Sequence, residues 1–312
     1  MKITILDDIY LNYDKARLAK LGEVKYFTRL EKNLHGNDAE LIKRIDDSDI
    51  VVSCHVALNK NVIESCSNLK YIITSSTGVD NIDVEAANKN GILVSNIPNY
   101  GTSSVAQATV ALLLEVVNRV ANYNEYVRSD MWNNGLDWSV VKEDLIELDN
   151  KTAGIIGYGE IGKATAKILE SLGMSLITYD VNDDTSKLDK LLAESDVISL
   201  HCPLTKDNKY MINRSSIDKM KDGVILINTS RGSLVNSDDL YEALKNGKIY
   251  FAAFDVVDGE PIGKTHPLLS LPNFILTPHV AWATKEARKR IVDLVSNNIE
   301  CYINEKPINL IK

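Results

Sequence analysis

Apolar residues in this chain gather into short runs, and between the runs they recur at helical spacing. Over the first hundred residues the runs at 3–6, 24–27, 50–53, 71–74 and 92–94 are rich in β-branched and aromatic side chains and read as strands. Helical patterns lie between them, so the segment predicts βαβ units and a parallel sheet. After Pro98, residues 103–126 form a helical pattern that is apolar on nearly every face between Val105 and Val117. This predicts one long helix, buried on several sides and packed between two domains. Its apolar part is shorter than the roughly 20 residues of a membrane span and is interrupted by Gln107, Thr109 and Glu115. Residues 129–150, with Trp132, Gly135 and Trp138, show no period and read as an irregular connection. A second series of runs follows at 153–156, 176–179, 197–200, 224–227, 251–254 and 274–276, which suits a second doubly wound sheet. The last helical pattern, 284–302, is expected to cross back to the first domain. The expected division is therefore 1–98 plus 285–312 around an inserted domain, 99–284.

Composition narrows the function classes. A chain of 312 residues with 45% hydrophobic and 25% charged residues has room for two ordinary globular cores. The formal net charge is -8 and no stripe of Lys and Arg is present, so nucleic acid is not an expected partner. The opening Met1-Lys2-Ile3-Thr4-Ile5-Leu6-Asp7-Asp8 meets acids too soon for a signal peptide and reads as a first strand. Cys54, Cys66, Cys202 and Cys301 show no C-x-x-C spacing. Reduced thiols in a cytoplasmic protein, without metal or membrane, are the expectation.

The chemistry begins at Gly157-Tyr158-Gly159-Glu160-Ile161-Gly162. These glycines follow an apolar run, open a helical pattern through Ala164, Ile168 and Leu172, and are answered by Asp180 after the next run. Strand, tight turn, helix, strand and acid occur in the order of a dinucleotide-binding fingerprint. Gly157 permits the turn, Gly159 lets the backbone approach a pyrophosphate, and Gly162 lets helix and strand pack closely. The amides of Ile161 and Gly162 open a helix whose positive end favours the diphosphate. Asp180 can accept from ribose hydroxyls and repel a 2'-phosphate, which favours NAD over NADP.

Ligands of an open α/β sheet bind beyond the carboxyl ends of its strands, and three polar residues stand at such ends: Arg231, Glu260 and His279. They offer an anion clamp, a carboxylate and an imidazole. Hydride transfer to a 2-oxo acid needs a proton for the carbonyl oxygen, and histidine, with an ordinary pKa of about 6.5, can supply it. A paired carboxylate would favour the imidazolium, and the planar arginine fork can grip a substrate carboxylate. Each residue also has an ordinary structural reading: an exposed loop charge, a helix-start acid, a satisfied histidine. His201 also follows a strand, and spacing leaves it and His279 open as the acid/base.

The chain resembles the D-isomer-specific 2-hydroxyacid dehydrogenase family almost from end to end. Besides the glycine turn, the matching motifs are Thr77-Gly78-Val79-Asp80-Asn81-Ile82-Asp83, Ser104-Val105-Ala106-Gln107, His201-Cys202-Pro203-Leu204-Thr205, Asn228-Thr229-Ser230-Arg231-Gly232, the stretch from Phe254 through Glu260-Pro261, and Thr277-Pro278-His279. The resemblance implies a Rossmann NAD-binding domain inserted into a flavodoxin-like substrate domain. It implies that His279 is the acid/base, that Glu260 orients it, and that Arg231 with the Gly78 and Val79 amides binds the substrate carboxylate. Cofactor contacts are implied for Thr77, Glu160, Ile161, Asp180, Cys202 and Thr229, with Asp255 on the nicotinamide carboxamide and His201 near the adenine end. Two positions depart from common family residues: Gln107 stands where Glu is frequent, and Asn208 where Thr is frequent.

Within the family, the stretches 278–284 and 99–102 most resemble bacterial glycerate dehydrogenases, also called hydroxypyruvate reductases. Trp282 is a candidate wall for the 3-carbon end of the substrate, or else a packing residue. The loop at 53–57 offers no cation before Lys60, and the chain ends at Lys312, which speaks against a phosphoglycerate dehydrogenase. D-Lactate dehydrogenase is the nearest enzymatic alternative, and an NAD-sensing corepressor-like binding protein the non-enzymatic one. Closure of two domains on the substrate is expected, with hinges near Pro98 and Ala283, and so is a homodimer. Contact of His55 with substrate is left open.

Overall fold

The computed structural model describes residues 1–8, 10–28, 36–135 and 137–311, which form two compact units: Met1–Gly101 with Ala283–Lys312, and Thr102–Trp282. In the first unit the predicted strands form as β1 (Lys2–Asp8), β2 (Glu23–Thr28), β3 (Ile50–Ser53), β4 (Tyr71–Thr74) and β5 (Leu93–Ser95). Between them lie α1 (Lys15–Ala19), α2 (Asp38–Ile45), α3 (Lys60–Ser65) and α4 (Val84–Lys89). Asp14, Asn37, Asn59 and Asp83 each cap their helix by accepting a backbone N–H in its first turn. All strand pairs are parallel and the order is β2-β1-β3-β4-β5, the flavodoxin-like arrangement. Both faces are covered, as a wholly parallel sheet requires. Leu6, Val51, Ile72 and Val94 join the core beneath α2, α3 and α4.

The second unit opens with α5 (Thr102–Asn118) and α6 (Val120–Arg128), where the sequence predicts one helix. The break is Arg119, in the left-handed region at φ 53°, and the two axes meet at 57°. Tertiary partners hold it there. The Arg119 guanidinium lies 4.2 Å from the Phe251 ring centroid and pairs with Glu143 at 2.8 Å. Glu115, the acid within the apolar run, accepts the Ala121 N–H at 3.1 Å and caps α6. The buried face of α5, through Val110, Leu113, Val116 and Val117, belongs to the core of this unit. Among the described residues no single helix is long and apolar enough to cross a membrane.

The remaining elements alternate: β6 (Thr152–Ile156), α7 (Glu160–Ser171), β7 (Ser175–Tyr179), α8 (Thr185–Glu194), β8 (Val197–Leu200), α9 (Arg214–Asp218), β9 (Val224–Asn228), α10 (Ser237–Lys245), β10 (Ile249–Phe254) and β11 (Phe274–Leu276). The sheet is wholly parallel in the order β11-β10-β9-β8-β6-β7. Successive residues serve opposite faces: Ile155, Ile225 and Ile227 pack with α5 and α7, while Ile156 and Leu226 join Leu191 and Leu240 on the other side. The connections change direction between β6 and β8, which places the switch point beside the glycine turn. The chain then enters the first unit again through α11 (Lys285–Ile303), capped by Thr284. Tyr302 of α11 stacks on Tyr71 of β4 at 4.4 Å.

Candidate active site

The carboxyl ends of the second unit's strands carry most of the residues singled out in the sequence. Gly157 follows β6 at φ 94°, a conformation that strains any side chain, and a Cβ there would lie 2.5 Å from the Cys202 nitrogen. A Cβ on Gly162 would fall 2.1 Å from the Gly157 carbonyl oxygen, so α7 rests directly on the turn. At Gly159 a Cβ would meet nothing within 4 Å, which leaves its backbone open to a ligand. The amides of Glu160, Ile161 and Gly162 precede the first intrahelical bond, donated by Lys163 to the Gly159 carbonyl at 2.9 Å. Asp180, at the end of β7, accepts from the Tyr158 amide at 2.9 Å and from the Val181 amide at 2.7 Å. A carboxylate accepts about four hydrogen bonds, so capacity for two ribose hydroxyls remains. The donors, the open glycine and the acid fit a dinucleotide.

His201 follows β8 in an enclosed position where burial lowers its pKa to about 4. Its Nε2 pairs with Ser199 Oγ at 2.9 Å. A ring that stays neutral through the neutral range is a poor proton donor, which counts against His201 as the acid/base. Burial also pushes the Cys202 thiol up to about 11, so Cys202 is an unreactive neighbour of the turn. Thr229 shares a hydrogen bond of 2.8 Å with Thr109 of α5.

The Arg231 turn is built by Asn228, the fully buried last residue of β9. Its side chain accepts from the Ser230 amide at 3.0 Å and donates to the Arg231 carbonyl at 2.9 Å. Ser230 Oγ donates to the Cys202 carbonyl, and Arg231 Nη1 to the Ser230 carbonyl at 2.9 Å.

His279 sits at φ 55° after β11. The His279 amide donates to the Asp255 carbonyl, and the His279 carbonyl accepts from Trp282 Nε1, each at 2.9 Å. The Asp255 carboxylate is 2% exposed and is committed to the same turn. It accepts from Thr277 Oγ1 at 2.5 Å, from the Val280 amide at 2.9 Å and from the Ala281 amide at 2.8 Å. Ser104 Oγ of α5 holds the Ala281 carbonyl at 2.7 Å, which gives that motif a structural task. The imidazole Nδ1 meets Glu260 Oε2 at 2.9 Å, which leaves Nε2 for a reacting group. The bracing by Asn228, Ser104 and Asp255 depends on tertiary contacts that the sequence motifs containing them do not show; Asn228 and Asp255 stand at strand ends, and Ser104 in the first turn of α5.

Thr77, Gly78 and Val79 follow β4 in the first unit. Thr77 Oγ1 donates to the Ile97 carbonyl at 3.0 Å. Among the described residues the Gly78 and Val79 amides donate no hydrogen bond, so both suit an anion. After β3, the buried Asp7 carboxylate accepts from the Cys54, His55 and Val56 amides at 2.7, 2.6 and 3.2 Å.

A dinucleotide turn and a His–Glu pair at the strand ends of a doubly wound sheet define a nicotinamide-dependent oxidoreductase. Residues 110–281 match the family described as D-isomer specific 2-hydroxyacid dehydrogenase, NAD binding domain. The chain belongs to this family, whose members are NAD-dependent oxidoreductases acting on the CH–OH group of 2-hydroxy acids. It is 42% identical to a hydroxypyruvate reductase of Blautia hydrogenotrophica, over 100% of this chain and 99% of that one. Identity to a glycerate dehydrogenase of Methylorubrum extorquens is 39%, over 88% of each chain. The D-lactate dehydrogenase of Aquifex aeolicus, solved with NAD and lactic acid, is similar in structure at a TM-score of 0.82, with 32% identity over 98% of this chain and 96% of that one.

Proposed function

We propose that the protein reduces hydroxypyruvate to D-glycerate, and glyoxylate to glycolate, with NADH. The observation that carries this reading is the His279 Nδ1–Glu260 Oε2 contact of 2.9 Å, set at the carboxyl ends of β10 and β11 with the Arg231 turn after β9. Gly157–Gly162 and Asp180 would hold NADH, which would supply the hydride. Arg231 grips the substrate carboxylate and polarises the carbonyl, and the Gly78 and Val79 amides of the first unit are donors suited to a carboxylate. His279 delivers the proton from Nε2 while Glu260 holds Nδ1, and in the oxidative direction the neutral ring takes the proton back. Thr77, Glu160, Ile161, Cys202, Thr229 and Asp255 border the cofactor, and Trp282 borders the substrate. We assign the first unit as the substrate domain.

The names of the full-length relatives favour hydroxypyruvate over pyruvate. The Asp180 carboxylate, with capacity left for ribose hydroxyls, opposes a 2'-phosphate and favours NADH over NADPH. We further infer a cytoplasmic homodimer without nucleic-acid or membrane partners. Its support is four free thiols, the acidic balance, and the apolar surface of α6 and its sequel. The test is kcat/KM for hydroxypyruvate and pyruvate on one preparation, followed by nicotinamide absorbance. A hydroxypyruvate preference is expected. A pyruvate preference moves the assignment to D-lactate dehydrogenase, and NADH binding without turnover of any 2-oxo acid moves it to a cofactor sensor.

A further inference from the structure

Three segments of the second unit converge on one carboxylate that the proposed reaction does not use. Asp258 Oδ2 accepts from the Tyr210 hydroxyl at 2.6 Å, and Oδ1 accepts from Ser233 Oγ. Tyr210, at φ 54°, also donates its amide to the Ser233 carbonyl at 2.8 Å, and Asn213 Nδ2 holds the Tyr210 carbonyl at 2.8 Å. Ser233 closely follows Arg231 in the chain, and Asp258 closely precedes Glu260, separated from it by Gly259 at φ 73°. The backbones of the two turns touch as well. A Cβ on Gly232 would lie 2.0 Å from the Val257 carbonyl carbon and 2.3 Å from the Asp258 nitrogen, so no other residue fits without displacing one turn from the other. Burial works against the charge on Asp258, but the Ser233 and Tyr210 hydroxyls and the charge of Lys209 outweigh it and hold the carboxyl below the usual range. The clamp is therefore ionised at neutral pH.

We propose that Asp258 is a positioning residue that ties the Arg231 turn to the Glu260 turn and so fixes the carboxylate grip relative to the Glu260–His279 pair. This rests on the roles given above to Arg231, Glu260 and His279. Asp258 itself acts through its neighbours. Rates of hydride and proton transfer respond steeply to small misplacements, whereas cofactor affinity, held at the glycine turn, does not depend on this clamp.

Wild-type turnover of hydroxypyruvate, measured first, tests the functional reading; ratios of variant to wild type test the clamp. Asp258→Ala is expected to lower kcat by about 10- to 100-fold while the Kd for NADH stays within about twofold. Asp258→Asn, which keeps the shape and can accept from one hydroxyl through Oδ1 while donating to the other through Nδ2, is expected to recover most of that loss. Tyr210→Phe combined with Ser233→Ala removes the same bonds without touching Asp258 and should reproduce the fall. In a Glu260→Gln background, Asp258→Ala is expected to cost much less than in the wild type, because the two act through one geometry. The downfield Nδ1 proton of His279 in NMR spectra gives a readout independent of turnover. It should be present in wild type and Asp258→Asn and broadened in Asp258→Ala. The proposal is overturned if kcat survives Asp258→Ala, if NADH affinity falls in step with kcat, if the costs with Glu260→Gln are additive, or if the His279 signal is unchanged.

Discussion

At the scale of single residues, environment separates two histidines that stand at equivalent strand ends. His279 is exposed enough to meet a substrate and carries a carboxylate partner, whereas His201 is enclosed and held neutral. His279→Ala is expected to lower kcat for 2-oxo acid reduction by about 100- to 10,000-fold and to change the shape of its pH profile. An unaltered profile would remove His279 from the acid/base role. Arg231→Ala is expected to cost about 100- to 1,000-fold in kcat/KM with NADH binding retained, checked by fluorescence titration. His201 makes a prediction about stability. Its folded pKa, about 4, lies below the ordinary 6.5, so the unfolded chain binds the extra proton between those values. Stability is then fully present above pH 6.5 and is lost as pH falls toward 4, by at most about 3 kcal/mol and by less to the extent that solvent reaches the residue. Denaturant unfolding of His201→Gln should show a shallower loss over that window than the wild type; equal slopes would contradict the burial argument. The sequence placed both residues at strand ends correctly, but burial chooses between them, and burial is not written in local spacing.

At the scale of elements, the glycine turn separates folding from binding. Gly162→Ala must push α7 away from the Gly157 carbonyl and is expected to destabilise the unit by about 1–3 kcal/mol. Gly159→Ala meets open space and is expected to leave Tm unchanged while weakening NADH binding. If both variants lose Tm equally, the distinct tasks of the two glycines are wrong. The same reasoning applies where α5 gives way to α6. Helical periodicity runs through Arg119 without interruption, so the sequence predicts one helix. The break depends on Phe251 and Glu143, both remote in the chain. Arg119→Ala is expected to lower stability by about 1–3 kcal/mol, measured by denaturant unfolding. The Trp282 indole is a related case. Its N–H on the His279 carbonyl could not be foreseen from a large ring placed after an acid/base residue.

At the scale of the whole molecule, a belt of apolar side chains on the second unit is left to solvent. None of the α6 side chains is buried, and Val120, Val127, Met131 and Trp132 on α6 and its sequel are exposed, with Trp138 88% exposed. A second copy of this chain is the occupant we propose for that surface. Sedimentation should give a dimer for the wild type and a shift toward monomer for Trp138→Asp; a monomeric wild type would overturn it. The sequence by itself determined the class of the protein, the strands of both sheets, the dinucleotide turn and the strand-end positions of Arg231, Glu260 and His279. These depend on period, turn chemistry and residue type, which are local. Only the tertiary structure decided the strand order, the break at Arg119, the neutral state of His201 and the commitment of Asp255 and Asp258 to bracing the turns. Each depends on which distant groups meet and on how much water they lose in meeting.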